Sequence, residues 1–151
     1  MSVYALSLML HVLGVVVWVG GMFFAYVCLR PAVGELSPQQ RLPLWEAALS
    51  RFLTWVGVAI VVILLSGGQM MMMGQGGLHA RWPVHAMAGI GVVMMLVYGH
   101  IRFALFPRLQ RAVQAQSWPD GARAVNGVRR LVALNLALGV IVIGLASSLR
   151  G

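Results

Sequence analysis

At 151 residues, with 60% apolar and only 9% charged side chains, the chain has the length of one domain and too few polar residues to clothe a soluble one. Its eleven basic residues are all arginine, set against three acids (Glu35, Glu46 and Asp120), for a net charge of +8 at pH 7. The arginines fall between apolar runs rather than on a soluble face, which argues against nucleic acid and for the anionic headgroups of a lipid bilayer as the partner.

Cysteine occurs once, at Cys28, so there is no disulfide framework and no CxxCH for covalent haem attachment. The N-terminus lacks a basic leader, and its apolar run is too long for a signal-peptide core, so Met1 is expected to stay attached to a helix that remains in the membrane.

Four runs reach the roughly 20 residues that a hydrocarbon core of about 30 Å requires. They lie near Tyr4–Leu29, Phe52–Gly74, Pro83–Phe106 and Leu131–Leu149. Short connections between them predict an all-α, integral-membrane, up-down four-helix bundle, with residues 1–151 forming one four-span domain. The first connection carries Arg30, Arg41 and Arg51, and the third carries Arg108, Arg111, Arg123, Arg129 and Arg130. The positive-inside rule places these two in the cytoplasm and both termini on the outer, periplasmic side of a bacterial inner membrane.

The first run holds His11, and helical spacing puts His11, Gly14, Trp18, Gly21 and Ala25 on one stripe. Histidine is expensive in hydrocarbon, so its ring is expected to face the bundle interior and to serve a purpose. In the connection that follows, Ser37 with Pro38 and Gln40 marks a helix start well outside the membrane; Ser117 with Pro119 and Asp120 repeats the device before the fourth run. Pro43 is a candidate kink.

The second run ends in Gly67 and Gly68 and then four consecutive methionines, Met70 to Met73, with His79 in the loop beyond. Thioether and imidazole ligands suit Cu(I), although four methionines in a row point around the whole helix, so at most two, such as Met70 and one neighbour, share a face. Met71 is the neighbour we pair with it. Unbranched methionine also fills gaps without any metal.

The third run opens with Arg81, Trp82 and His85, followed one turn later by Gly89. From the 1.5 Å rise per residue, His11 lies about 10 Å and His85 about 3–8 Å inside the outer boundary. Glycines thin each helix in or near this layer. Close helix packing explains them. So does room for a planar group between two axial imidazoles, the arrangement of a b-type haem, with Arg81 and Arg150 placed to pair with propionates. His100 falls near the other end of the third run, close in depth to Asn135, where it either hydrogen-bonds or ligates a second metal or cofactor. No carboxylate lies in any span, which weakens a proton-driven transporter. Hydrolase and phosphoryl-transfer motifs are missing.

His11 with Trp18, Gly20, Gly21 and Met22, then Arg30 with Pro31, resembles the start of the small CopD-family (copper resistance protein D-like) membrane proteins. So do Arg51 with Phe52 and Trp55, Ser66 with Gly67, His85, and the stretch from Asn126 through Asn135 to Gly139. That resemblance implies a role in copper uptake or resistance. A local resemblance to the HemJ-type protoporphyrinogen oxidases rests on a histidine seven residues before a tryptophan and on Trp82 shortly before His85. It implies haem b ligation at those histidines, while Met87 stands where that family uses a lysine.

Three functions follow as expectations. The first is haem b held by His11 and His85 near the periplasmic face, lined by Gly14, Trp18, Gly67, Gly68, Gly89 and Arg81, for electron transfer or redox sensing with a redox partner or quinone; any enzyme activity would be that of a membrane oxidoreductase. The second is copper passage through Met70, Met71, His79, His11 and His85. The third is a membrane scaffold without a cofactor.

Overall fold

The computed structural model describes residues 1–73 and 81–148. Among the described residues, four helices long and apolar enough to cross a membrane cover Val3–Val33, Pro38–Met72, Trp82–Gln114 and Trp118–Ser148. At 1.5 Å per residue each runs roughly 45–55 Å, well beyond the hydrocarbon thickness of about 30 Å. Their outward faces carry large apolar side chains such as Leu65, Leu96 and Phe103, each more than two-thirds exposed. Surfaces of that kind belong in lipid.

The first long helix comprises α1 (Val3–Phe23), a π-helical turn (Phe24–Leu29) and α2 (Arg30–Val33). The third repeats the pattern with α4 (Trp82–His100), a π-helical turn (Ile101–Leu105) and α5 (Phe106–Gln114). Both wide turns sit just before a proline, Pro31 and Pro107. Proline has no N–H to donate, and its ring crowds the carbonyl four residues back. The residue before each proline instead bonds five residues back, Arg30 to the Ala25 carbonyl and Phe106 to the Ile101 carbonyl. A single π turn lets each helix pass its proline and continue. The third helix therefore runs on to Gln114, beyond the Phe106 boundary expected from hydropathy.

The second helix, α3 (Pro38–Met72), and the fourth, α6 (Trp118–Ser148), start where their serine and proline signals lie, and α3 continues through Pro43. Ser37 caps α3 through its carbonyl, which takes the N–H groups of Gln40 and Arg41, while its hydroxyl makes no cap bond. At α6 the Ser117 hydroxyl bonds Asp120 at 2.6 Å, and Asp120 also pairs with Arg123. The Ser117 bond first, then the Arg123 guanidinium, hold the Asp120 carboxyl below the ordinary carboxylate value.

α5 ends in a Schellman motif. Ser117 N–H reaches the Ala112 carbonyl at 2.9 Å and Gln116 N–H the Val113 carbonyl at 3.1 Å. The motif requires a left-handed residue, supplied by Gln116 at φ 52°.

α1 packs against α3, and α4 and α5 pack against α6; α3 and α1 also meet α6. α1 and α3 run antiparallel, since Ser7 meets Gln69 while Gly21 meets Phe52. The main core lies toward the arginine-bearing end and the middle of the bundle, built on Leu42, Leu49 and Val56 of α3, Phe106 and Leu109 of α5, and Val128 of α6. Tyr98 ties α4 to α3 by donating to the Leu53 carbonyl at 2.9 Å, a contact that Gly57 admits because a Cβ there would lie 2.8 Å from the hydroxyl oxygen.

Two outcomes follow. Gly14→Ala places a Cβ 2.7 Å from Ile63 Cγ1 and 3.2 Å from the Ala59 carbonyl oxygen, whereas Gly20→Ala meets nothing within 4 Å. Thermal unfolding in detergent should show the first destabilised by about 1–3 kcal/mol and the second unchanged or stabilised by up to about 1 kcal/mol. Gln116→Gly removes the strain of a left-handed non-glycine residue and should raise stability by about 1 kcal/mol in the same assay.

Candidate functional site

The predicted stripe on α1 does face the bundle: Gly14 and Trp18 are buried, together with Ser7 and Met22 on the same side. His11 is half-buried among them. Glycine on the facing helix makes room for its ring, since a Cβ on Gly67 would lie 3.1 Å from His11 Cε1.

The hydrogen bonds around His11 fix its tautomer. Nδ1 lies 3.1 Å from the Ile63 carbonyl oxygen and 3.2 Å from Ser66 Oγ. A carbonyl only accepts. The Ser66 hydroxyl spends its own proton on backbone carbonyls one turn back, Val62 or Ile63, and so presents a lone pair to the ring. Both partners therefore call for the proton on Nδ1, which in the neutral ring leaves the lone pair on Nε2. This is the arrangement by which a protein orients a metal-ligating histidine, with one ring nitrogen donating to a carbonyl and the other available to the metal.

One turn further toward the N-terminus, the Ser7 hydroxyl and the Gln69 side-chain amide meet at 2.7 Å. Ser7, His11, Ser66 and Gln69 thus form a polar ladder across the α1–α3 interface, where the neighbouring stretches of both helices are otherwise apolar. Met70 is half-buried and lies one turn beyond Ser66 on the same face of α3, and Met73 follows one turn later at its cap. Met71, Met72 and Met73 are all exposed, Met72 almost fully.

The second predicted ligand is placed differently. His85 is exposed on α4, and Gly89, on the same stripe, has nothing within 4 Å of a built Cβ. The buried face of α4 is that of Pro83 and Met94. Nine residues separate His85 from Met94, which is half a revolution at 100° per residue. The expectation that both histidines face one interior is thus not met within the chain, where α1 and α4 make no extensive contact. α4 is apolar all the way round, so its hydropathy gave no guide to which side would pack.

His100 is also exposed and does not bond Asn135. Asn135 is buried instead and donates to the Met94 carbonyl at 3.1 Å. Gly68 is open on α3, and Arg81 caps α4 from an exposed position. His79 and Arg150 lie outside the described residues. Among those described, no group of three or more His, Cys, Asp or Glu side chains gathers as a metal site. A metal at the α1–α3 ladder would therefore draw on His11 and on sulfur.

Sequence reasoning passed over Ser7 and Gln69, although Ser7 sits one turn before His11 and Gln69 one turn after Ser66 at helical spacing. Polar residues at that spacing on two apolar runs were the available signal.

Comparison with curated proteins and with solved structures gives no match. Among protein families, residues 46–149 match CopD, described as copper resistance protein D, from within α3 through α6, with Met70 to Met73, His85 and His100 inside the matched span and α1 before it. The match covers more than half of the sequence, and the chain belongs to the CopD family.

Proposed function

We propose that this chain passes or delivers copper across a bacterial inner membrane, with the ion as cargo rather than as a resident cofactor. The observation that carries this reading is the pair of acceptors against His11 Nδ1, the Ile63 carbonyl and Ser66 Oγ, which assign the proton to Nδ1 and leave the Nε2 lone pair for a soft metal. Thioethers and imidazole together suit Cu(I). By helical spacing, half-buried Met70 and exposed Met73 continue the Ser66 side of α3 one and two turns on, which is where an ion on its way to His11 would be collected. Met71 extends the collecting surface. The family's description, copper resistance protein D, names the same metal.

The arrangement in the bilayer belongs to this proposal. Arginines cluster at the end that joins the first helix to the second and the third to the fourth, so the positive-inside rule puts that end in the cytoplasm and the His11 end at the periplasmic face. Consecutive helices then run up and down, and copper enters from outside.

Haem b gripped by His11 and His85 of one chain, serving a quinone or other redox partner, draws no support from a His85 that is exposed on the side of α4 opposite its buried face. His85, exposed in an apolar helix, joins the copper path only where a second copy or a partner covers that face.

The test is metal analysis and absorption of the detergent-purified protein, loaded anaerobically with Cu(I) or expressed with ample haem. About one copper per chain is expected, falling several-fold in His11→Ala and in the double variant Met70→Leu with Met73→Leu. Copper content unchanged in His11→Ala, or a Soret band that His11→Ala abolishes, would overturn the proposal.

A further inference from the structure

At the arginine-bearing end, away from His11, the inner ends of the first helix, α3 and α6 part to enclose a cavity of about 490 Å³. Its volume falls within the roughly 300–1,000 Å³ of small-molecule sites. Four arginines line it: Arg30 from the first helix, Arg41 from α3, and Arg123 and Arg129 from α6. No carboxylate is among the described residues that line it. Arg123 is shared with Asp120 outside the cavity, and Arg30 lies over the Tyr26 ring at 5.1 Å from its centroid. Below the arginines the walls turn apolar, with Leu49 and Phe52 of α3 facing Val132 of α6.

Two properties of this cavity narrow what fits. Four guanidinium groups, one of them offset by Asp120, call for an anion with several acceptor oxygens, and guanidinium matches phosphate by paired hydrogen bonds. The apolar floor excludes a bare ion as the full occupant, because burying it there would desolvate charge against hydrocarbon. An occupant with a phosphate at one end and methylenes at the other satisfies both. Basic pockets between transmembrane helices recognise anionic headgroups on these grounds.

We infer that this cavity is a binding site for an anionic phospholipid of the adjoining leaflet, its phosphate held by Arg41, Arg129 and Arg30 and the upper part of its chains lying against Phe52 and Val132. The site is independent of the copper reading, since it uses the opposite end of the bundle and none of the same residues. It gives the first helix, α3 and α6 a shared partner at the point where they diverge.

Native mass spectrometry of the detergent-purified full chain tests this, with titration of dioleoyl phosphatidylglycerol, dioleoyl phosphatidylcholine and inorganic phosphate in separate arms. The expected result is phosphatidylglycerol bound roughly tenfold or more tightly than phosphatidylcholine, with the preference lost in the double variant Arg41→Gln with Arg129→Gln. A control pair, Arg108→Gln with Arg130→Gln, removes the same charge from exposed positions outside the cavity and should keep it. Circular dichroism of both pairs confirms that helicity is retained, as expected for changes of exposed or half-exposed side chains. Equal binding of the two lipids, equal loss in both pairs, or displacement of the lipid by inorganic phosphate at matching concentration would each overturn the inference.

Discussion

The close antiparallel packing of α1 on α3 is the constraint from which the rest of the structure follows. In lipid no hydrophobic force drives helices together, so contact depends on van der Waals fit and on polar groups finding partners. Gly14 and Gly21 on α1 and Gly67 on α3 let the two backbones approach until Ile63, Phe52 and His11 fill the space where side chains would stand. The ladder of Ser7, His11, Ser66 and Gln69 closes over that contact. Interhelical hydrogen bonds in membranes average about 0.6 kcal/mol, so the ladder adds only a little over 1 kcal/mol in its own right. Its larger effect is to prevent the penalty of leaving an imidazole and an amide unpaired in hydrocarbon, which amounts to several kcal/mol.

The other end of the molecule obeys different rules. There the helices carry the arginines and pack through a core of leucine, valine and phenylalanine. π turns precede Pro31 on the first helix and Pro107 on the third. Each follows from one missing N–H, and each lets a helix continue past a residue that would otherwise end it. The two ends thus divide the work: a polar, glycine-thinned interface at the His11 end, and a packed core with a basic cavity at the other.

Much of this was legible in the residues alone. Four apolar runs and arginine-bearing connections indicated four spanning helices, and the Ser37 and Ser117 signals marked where α3 and α6 begin. The inward stripe on α1 was readable because small residues and a polar residue recur at helical spacing. What escaped was the facing of α4. It is apolar along nearly its whole length, so periodicity carries no direction, and the premise that an intramembrane histidine points inward did not anticipate that His85 is exposed within the chain. The π turns escaped as well, because Pro31 and Pro107 read as helix ends when hydropathy alone is considered. Ser66 entered only as part of a family likeness, while its role as the acceptor that orients His11 needs the geometry of two helices at once.

The account rests on the protonation pattern of a single ring. Nitrogen-15 spectra of the ring-labelled protein in detergent, with the four histidines assigned by substitution, report it directly. The account predicts that His11 carries its proton on Nδ1, that Nε2 is bare, and that adding Cu(I), or Ag(I) as its redox-inert substitute, shifts the Nε2 resonance first. A proton on Nε2, or a His11 ring indifferent to either ion, would contradict it.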